Sequence, residues 1–225
     1  MERAKLLAAL MVSAITLRAQ VLGGAPASVD AQEAILERHL ERVDLKHVTT
    51  PEVLRTILNG TGIPGGIVLL QREMERPSFP FLTPEGWTLR QALNHLTSAA
   101  PYRWQLSAGV VNLFPEGKVP QLLRVRISEF HFEDVNNHSL LEQRLQEQPE
   151  IRERAAELGL EWATLQTGLG VYLRPGEKAP PPRPVKLKNV TLLEALNAIA
   201  RAQGGGVWTY AEQVKRGETY VGISF

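Results

Sequence analysis

The chain has 225 residues, room for one large domain or two of about 100 residues each, and 44% of them are hydrophobic against 22% charged. That composition supports a packed core and excludes global disorder, while a formal net charge of +1 without basic blocks leaves no electrostatic footprint for nucleic acid or anionic lipid. With no cysteine, the chain has no disulfide, no thiol nucleophile and no lipidated cysteine anchor.

Arg3 and Lys5 open the chain, Leu6 to Leu17 is nearly unbroken apolar sequence, and small Ala19 precedes polar Gln20. This pattern predicts a secretory signal peptide over residues 1–19, cut near Ala19 or a little later, at 23–27. The apolar run is shorter than the roughly 20 residues that span a bilayer, so no stable membrane insertion is expected after cleavage. Without it the chain carries 22 basic and 23 acidic residues. The expected location is periplasmic or secreted.

Residues 20–42 read as a leader and a short amphipathic helix over 31–42, with Ile35, Leu36 and Leu40 on one side. A first module is expected at 43–120. Val43 and Leu45 alternate as a strand, Thr49 or Thr50 caps a helix with Pro51 in its first turn, and Val53, Leu54, Ile57 and Leu58 form its buried face. Asn59 and Gly60 stop that helix, and residues 65–70 read as a buried strand. A strand at 79–82, a helix capped by Thr88 and a hairpin of 102–106 with 110–114 complete the order βαββαββ.

The same order recurs at 121–225. A strand-like run, a Val or Trp and a helix with Leu six residues on occurs four times, centred on Val48, Trp87, Val135 and Val190. Residues 168–173 match the strand at 65–70, and Thr191, Leu192, Ala195, Leu196 and Asn197 repeat Thr88, Leu89, Ala92, Leu93 and Asn94. Trp208 stands where Trp104 does after one extra residue. The offset between copies grows along the second module, which places an insertion at about 146–167 with an extra helix over 149–158 ended by Gly159. The prolines at 175–184 predict an extended surface connection. The expected fold class is α+β, two tandem βαββαββ modules built from βαβ halves, with helices packed on small sheets.

Residues 185–199, with Leu192, Ala195 and Leu196 opening a helix after a strand, resemble the short N-terminal domain of secretins and TonB receptors, and residues 81–114 are similar. Pro84, Glu85 and Gly86 lengthen the turn of that copy, and the two other copies place Pro51 and His138 where the family prefers apolar residues. The resemblance implies a periplasmic docking module that binds partner proteins and does no chemistry. Unlike members of that family, the chain is expected to carry no secretin or barrel sequence after Phe225.

Among chemical groups, His131, Glu133, Asp134 and His138 are the strongest metal or acid/base candidate, because a strand puts His131 and Glu133 on one face and His138 lies in the next turn. The competing reading is a solvated strand face leading into a helix cap at Asp134 or Asn136, and it carries more weight because no two histidines have the tight helical spacing of zinc enzymes. His39, His47 and His95 read as surface or boundary residues. Gly60, Gly62, Gly65 and Gly66 follow a helix and lack a Gly-Lys-Ser/Thr, so they read as a turn instead of a phosphate loop. No catalytic residue, metal or cofactor is assigned. Trp104, Tyr102, Trp208, Tyr210 and Tyr220 lie on or beside the two hairpins as candidate binding residues, with core packing the weightier use of their rings.

The sequence therefore predicts an exported, non-catalytic docking or adaptor protein whose partners are envelope proteins, engaged through a strand edge or the surface between modules. The alternatives are a secreted hydrolase or metal-dependent enzyme using His131, Glu133 and His138, and a protein that binds cell-wall glycan through exposed aromatics.

Overall fold

The structure, a computed structural model, describes residues 29–70, 78–117, 119–163 and 181–225. The expected signal peptide, the strand expected at 168–173 and most of the proline-rich stretch lie outside the described residues. The fold is α+β, with six α-helices and ten strands among the described residues.

Helix α1 spans Val29–Leu36, shorter than the sequence suggests. It ends because the next residues find partners elsewhere: Leu40 N–H donates to Trp87 O at 2.8 Å, Leu89 N–H to Arg38 O at 2.8 Å, and His39 forms a β-bridge with Thr88. Backbone groups satisfied this way have no reason to continue a helix.

The first βαββαββ unit is β1 (Val43–Val48), α2 (Thr50–Asn59), β2 (Gly65–Leu70), β3 (Phe79–Thr83), α3 (Leu89–Ala99), β4 (Tyr102–Ser107) and β5 (Val110–Pro115). A 3-10 turn at Leu122–Arg124 leads into the second: β6 (Arg126–Phe132), α4 (His138–Gln146), the inserted α5 (Pro149–Glu157), β7 (Leu160–Trp162), β8 (Val185–Thr191), α6 (Leu192–Gln203), β9 (Val207–Lys215) and β10 (Glu218–Ser224).

Local chemistry sets the helix starts. Thr88 and Gln91 form a capping box, with Thr88 N–H donating to Gln91 Oε1 at 2.8 Å and Gln91 N–H donating to Thr88 Oγ1 at 3.3 Å. Thr191 and Glu194 repeat it, at 2.7 and 3.2 Å. Asn137 caps α4 by accepting from Leu140 N–H, so the cap is neither Asp134 nor Asn136. The Asp134 carboxylate instead accepts from Asn136 N–H at 3.1 Å and ties the turn. Both hairpins turn on two residues of positive φ, Ala108 and Gly109 in one, Arg216 and Gly217 in the other, the geometry that matches strand twist.

Each unit has a small antiparallel pair, β1 with β3 and β6 with β8. The remaining strands of both units join in one six-stranded sheet of order β4-β5-β2-β9-β10-β7. In each unit the strand after the first helix region lies parallel to the second hairpin strand: β2 beside β5, and β7 beside β10. The two triplets join where β2 runs parallel to β9, from Gly65 opposite Val207 to Leu70 opposite Glu212.

Strand directions reveal the operation relating the units. Across the sheet, β4, β5 and β2 run down, up and up, and β9, β10 and β7 run up, down and down. The lateral order is kept and every direction is reversed. That is a half-turn about a line crossing the strands within the sheet plane, combined with a shift of three strands, and it must also exchange the two faces. The cores show the exchange. Ile67, Val111, Leu113 and Val207 face one way, onto Leu54 and Leu93 of the first unit, while Val68, Phe114, Trp208 and Tyr210 face the other way, onto Leu141 and Leu196 of the second.

Candidate functional site

The groups with chemical potential do not assemble. His131 Nε2 lies 3.0 Å from Glu133 Oε1 at the surface, as two side chains on one strand face should, but His138 turns away and sits half-buried with its ring centroid 6.3 Å from that of Phe225. Burial pushes the His138 imidazole below its ordinary pKa. Among the described residues no group of three or more His, Cys, Asp or Glu is placed to hold a metal ion. His39 Nδ1 lies 2.7 Å from Gly86 O, His47 occupies an exposed left-handed position (φ 56°), and His95 packs beside Phe81 and Trp87 with ring centroids 5.3 and 5.4 Å away.

The hairpin aromatics divide. Trp208, Tyr210 and Tyr102 are buried and pack in the two cores. The physical reason for two of them is the joining of the modules: β2 docks alongside β9, and the second unit's helices close over Trp208 and Tyr210. Tyr210 Oη donates to Glu212 Oε1 at 2.5 Å, and burial together with that carboxylate pushes the phenol far above its ordinary pKa. Tyr220 is half-buried on β10 and donates to Glu218 Oε2 at 2.6 Å. Trp104 is half-buried on β4, an outer strand of the sheet.

Trp104 and Trp208 occupy equivalent positions in the two units, and each makes the same bond to the same helix residue. Trp208 Nε1 donates to Asn197 Oδ1 at 2.9 Å, and Trp104 Nε1 donates to Asn94 Oδ1 at 2.9 Å. Their surroundings differ. Trp208 and Asn197 are buried, whereas Asn94 is exposed. The difference is a strand: β2 lies against β9, with Gly66 paired to Trp208, and among the described residues no strand lies against the corresponding side of β4.

The fit of β2 on β9 depends on glycine. A Cβ on Gly66 would lie 1.9 Å from Trp208 Cε2, and one on Gly65 would lie 2.3 Å from Leu58 Cδ1. These glycines sit inside a paired strand, where glycine marks close approach of another group, and they cradle no phosphate. Gly65 N–H donates to Gly206 O at 2.8 Å where the ladder begins, and Arg55 Nη2 reaches across to Thr209 Oγ1 at 3.1 Å. Among the described residues, the Trp–Asn pair thus occurs once beside a paired strand and once on a strand with no neighbour on that side. Sequence alone did not separate them, because the Asn and Trp are the same in both; the signal was Gly65 and Gly66, two glycines at the start of an otherwise apolar strand.

Elsewhere, a surface depression bordered by Gln121, Arg124, Val125 and Arg154 is bridged by Arg154 Nη2 donating to Gln121 Oε1 at 2.6 Å. Among the described residues no helix is long and apolar enough to cross a membrane. Comparison with protein-family models, with curated proteins and with solved structures gives no match.

Proposed function

We propose that this chain is an exported, non-catalytic docking protein of the cell envelope that takes a strand of a partner protein along the open edge of β4. The observation that carries the reading is the pair of Trp–Asn bonds, one buried beneath a docked strand and one at an edge where, among the described residues, none is docked. An edge of this kind offers a row of backbone donors and acceptors to an added strand, and Trp104 supplies a ring under which a glycine of that strand can sit. The basic, apolar and small-residue segments of the first twenty positions support export. The resemblance to the short N-terminal domain of secretins and TonB receptors agrees with docking as the task.

A photo-crosslinking residue at Arg103, exposed on β4, tests this in the native envelope, with Arg152 on α5 as the control position. Capture of an envelope protein from position 103 and not from 152 is the expected result; equal capture from both, or none, removes the reading. The mass of the mature protein tests export separately, and a chain that keeps Met1 defeats that part.

A further inference from the structure

We infer that the strand received by β4 belongs to a second copy of this chain, so that the protein assembles head to tail into a continuous sheet. The inference rests on the reading of β4 as a strand-accepting edge and names its occupant. Its basis is the operation that relates the two units. A half-turn with a shift of three strands does not return to its starting point: applied once it carries the first unit onto the second, and applied again it produces a copy of the first unit on the far side of β7. Two applications restore both strand direction and face, leaving only the rotation that the twist of the sheet adds. A second molecule facing the same way as the first therefore follows β7 with its own β4.

The polarity at that junction is already correct. β7 runs in the same direction as β4, as β2 and β9 do at the joint within the chain. β7 also stands to β10 as β2 stands to β5, parallel and on the outer side of the second hairpin strand. At the receiving end, Trp104 with Asn94 reproduces Trp208 with Asn197. The two ends thus match the central joint in polarity and in the Trp–Asn pair, while β7 carries Leu160, Glu161 and Trp162 after a single glycine, Gly159, where β2 has Gly65 and Gly66. A contact between different surfaces of identical molecules, related by an operation that does not close, gives chains instead of a closed dimer.

The absence of native cysteine makes the test clean. Arg103 on β4 and Glu161 on β7 are both exposed, on opposite faces of the sheet, so the linker must reach around the strand ends. Full-length Arg103→Cys protein is mixed with full-length Glu161→Cys protein and treated with a long flexible bismaleimide. The expected product is a dimer joining one variant to the other, several-fold above either variant alone and above a mixture of Arg103→Cys with Arg152→Cys. The double variant Arg103→Cys/Glu161→Cys is expected to give a ladder of dimer, trimer and longer products whose yield rises with protein concentration. Arg103→Cys linking mainly to itself would mean that two β4 edges pair symmetrically, and would overturn the proposal. So would a mixture that links no better than the control.

The strand-accepting edge and its occupant are tested separately. A soluble peptide carrying residues 63–70 and a photoreactive group is offered to the monomer. Crosslinking of that peptide to β4, with no head-to-tail product between copies, leaves the strand-accepting edge standing and removes the second copy as its occupant. Failure of both removes the edge reading itself.

Discussion

The indole of Trp208 occupies the space that a side chain on Gly66 would need, with only 1.9 Å between Trp208 Cε2 and the position of a Cβ. The two residues lie more than half the chain apart, yet they form a directly opposed pair in the parallel ladder between β2 and β9. A tryptophan on one strand and a glycine on the other make a ring-and-gap fit, and that fit fastens the two units.

Gly66→Val should therefore destabilise the protein by about 1–3 kcal/mol through overpacking, or more if the backbone cannot shift. Urea unfolding measures it. Combining Gly66→Ala with Trp208→Phe should cost less than the sum of the single changes, by about 0.5–3 kcal/mol, because the smaller ring relieves the clash. Strict additivity would mean that the gap is not what the ring requires.

The duplicated Trp–Asn bond allows one chemical change to be made in two environments. Asn197→Ala strips a buried indole N–H of its acceptor and should cost about 1–3 kcal/mol. Asn94→Ala, where water can replace the amide, should stay within about 0.5 kcal/mol. Equal losses in thermal or urea unfolding would contradict the assignment of one edge as closed and the other as open.

His138 gives the fold a dependence on pH. Its folded-state pKa is depressed by burial, so in the titration window the unfolded chain binds the proton more readily and stability rises with pH. The contribution is complete above the ordinary histidine pKa of 6.5 and is lost as pH falls through the lower folded value. Melting temperatures of the parent and of His138→Gln, compared between about pH 7.5 and 5, should show a shallower fall in the variant. Identical slopes would remove His138 as the cause.

Thr191→Ala should cost about 1 kcal/mol by deleting the hydroxyl that accepts from Glu194 N–H at the start of α6. Thr191→Ser should keep most of the stability. If both variants lose the same amount, the methyl group and not the capping oxygen is what matters at this position.

Much of the architecture was legible because it is written locally. The Thr-Leu-x-x-Ala-Leu-Asn phrase at 88 and at 191 encodes cap, buried helix face and the acceptor for a tryptophan, and both copies fold to those roles. The inserted helix was visible from the prolyl start at Pro149 and from Gly159, which takes a positive φ of 65° just beyond it. What the residues did not state was the pairing of β2 with β9. Parallel partners are chosen by surfaces formed far apart in the chain, and Gly65 and Gly66 look alike whether they end a turn or admit an indole. For the same reason Trp104 and Trp208 carried the same two readings, binding surface or core, although a strand from the other unit buries only the second.

The central position of β2 also decides the order in which the molecule can be completed. On a ribosome the first unit emerges whole while β9 does not yet exist, and β2 then stands as an open edge beginning with two glycines. Its backbone groups and the gap at Gly66 wait for residues 206–212, made more than half a chain length later. Loop closure on that scale is slow, and an unpaired strand in the interval is adhesive. The β9–β10 hairpin is thus a closing element for the whole sheet, and a chain cut short before β9 leaves its N-terminal half without the partner that covers it.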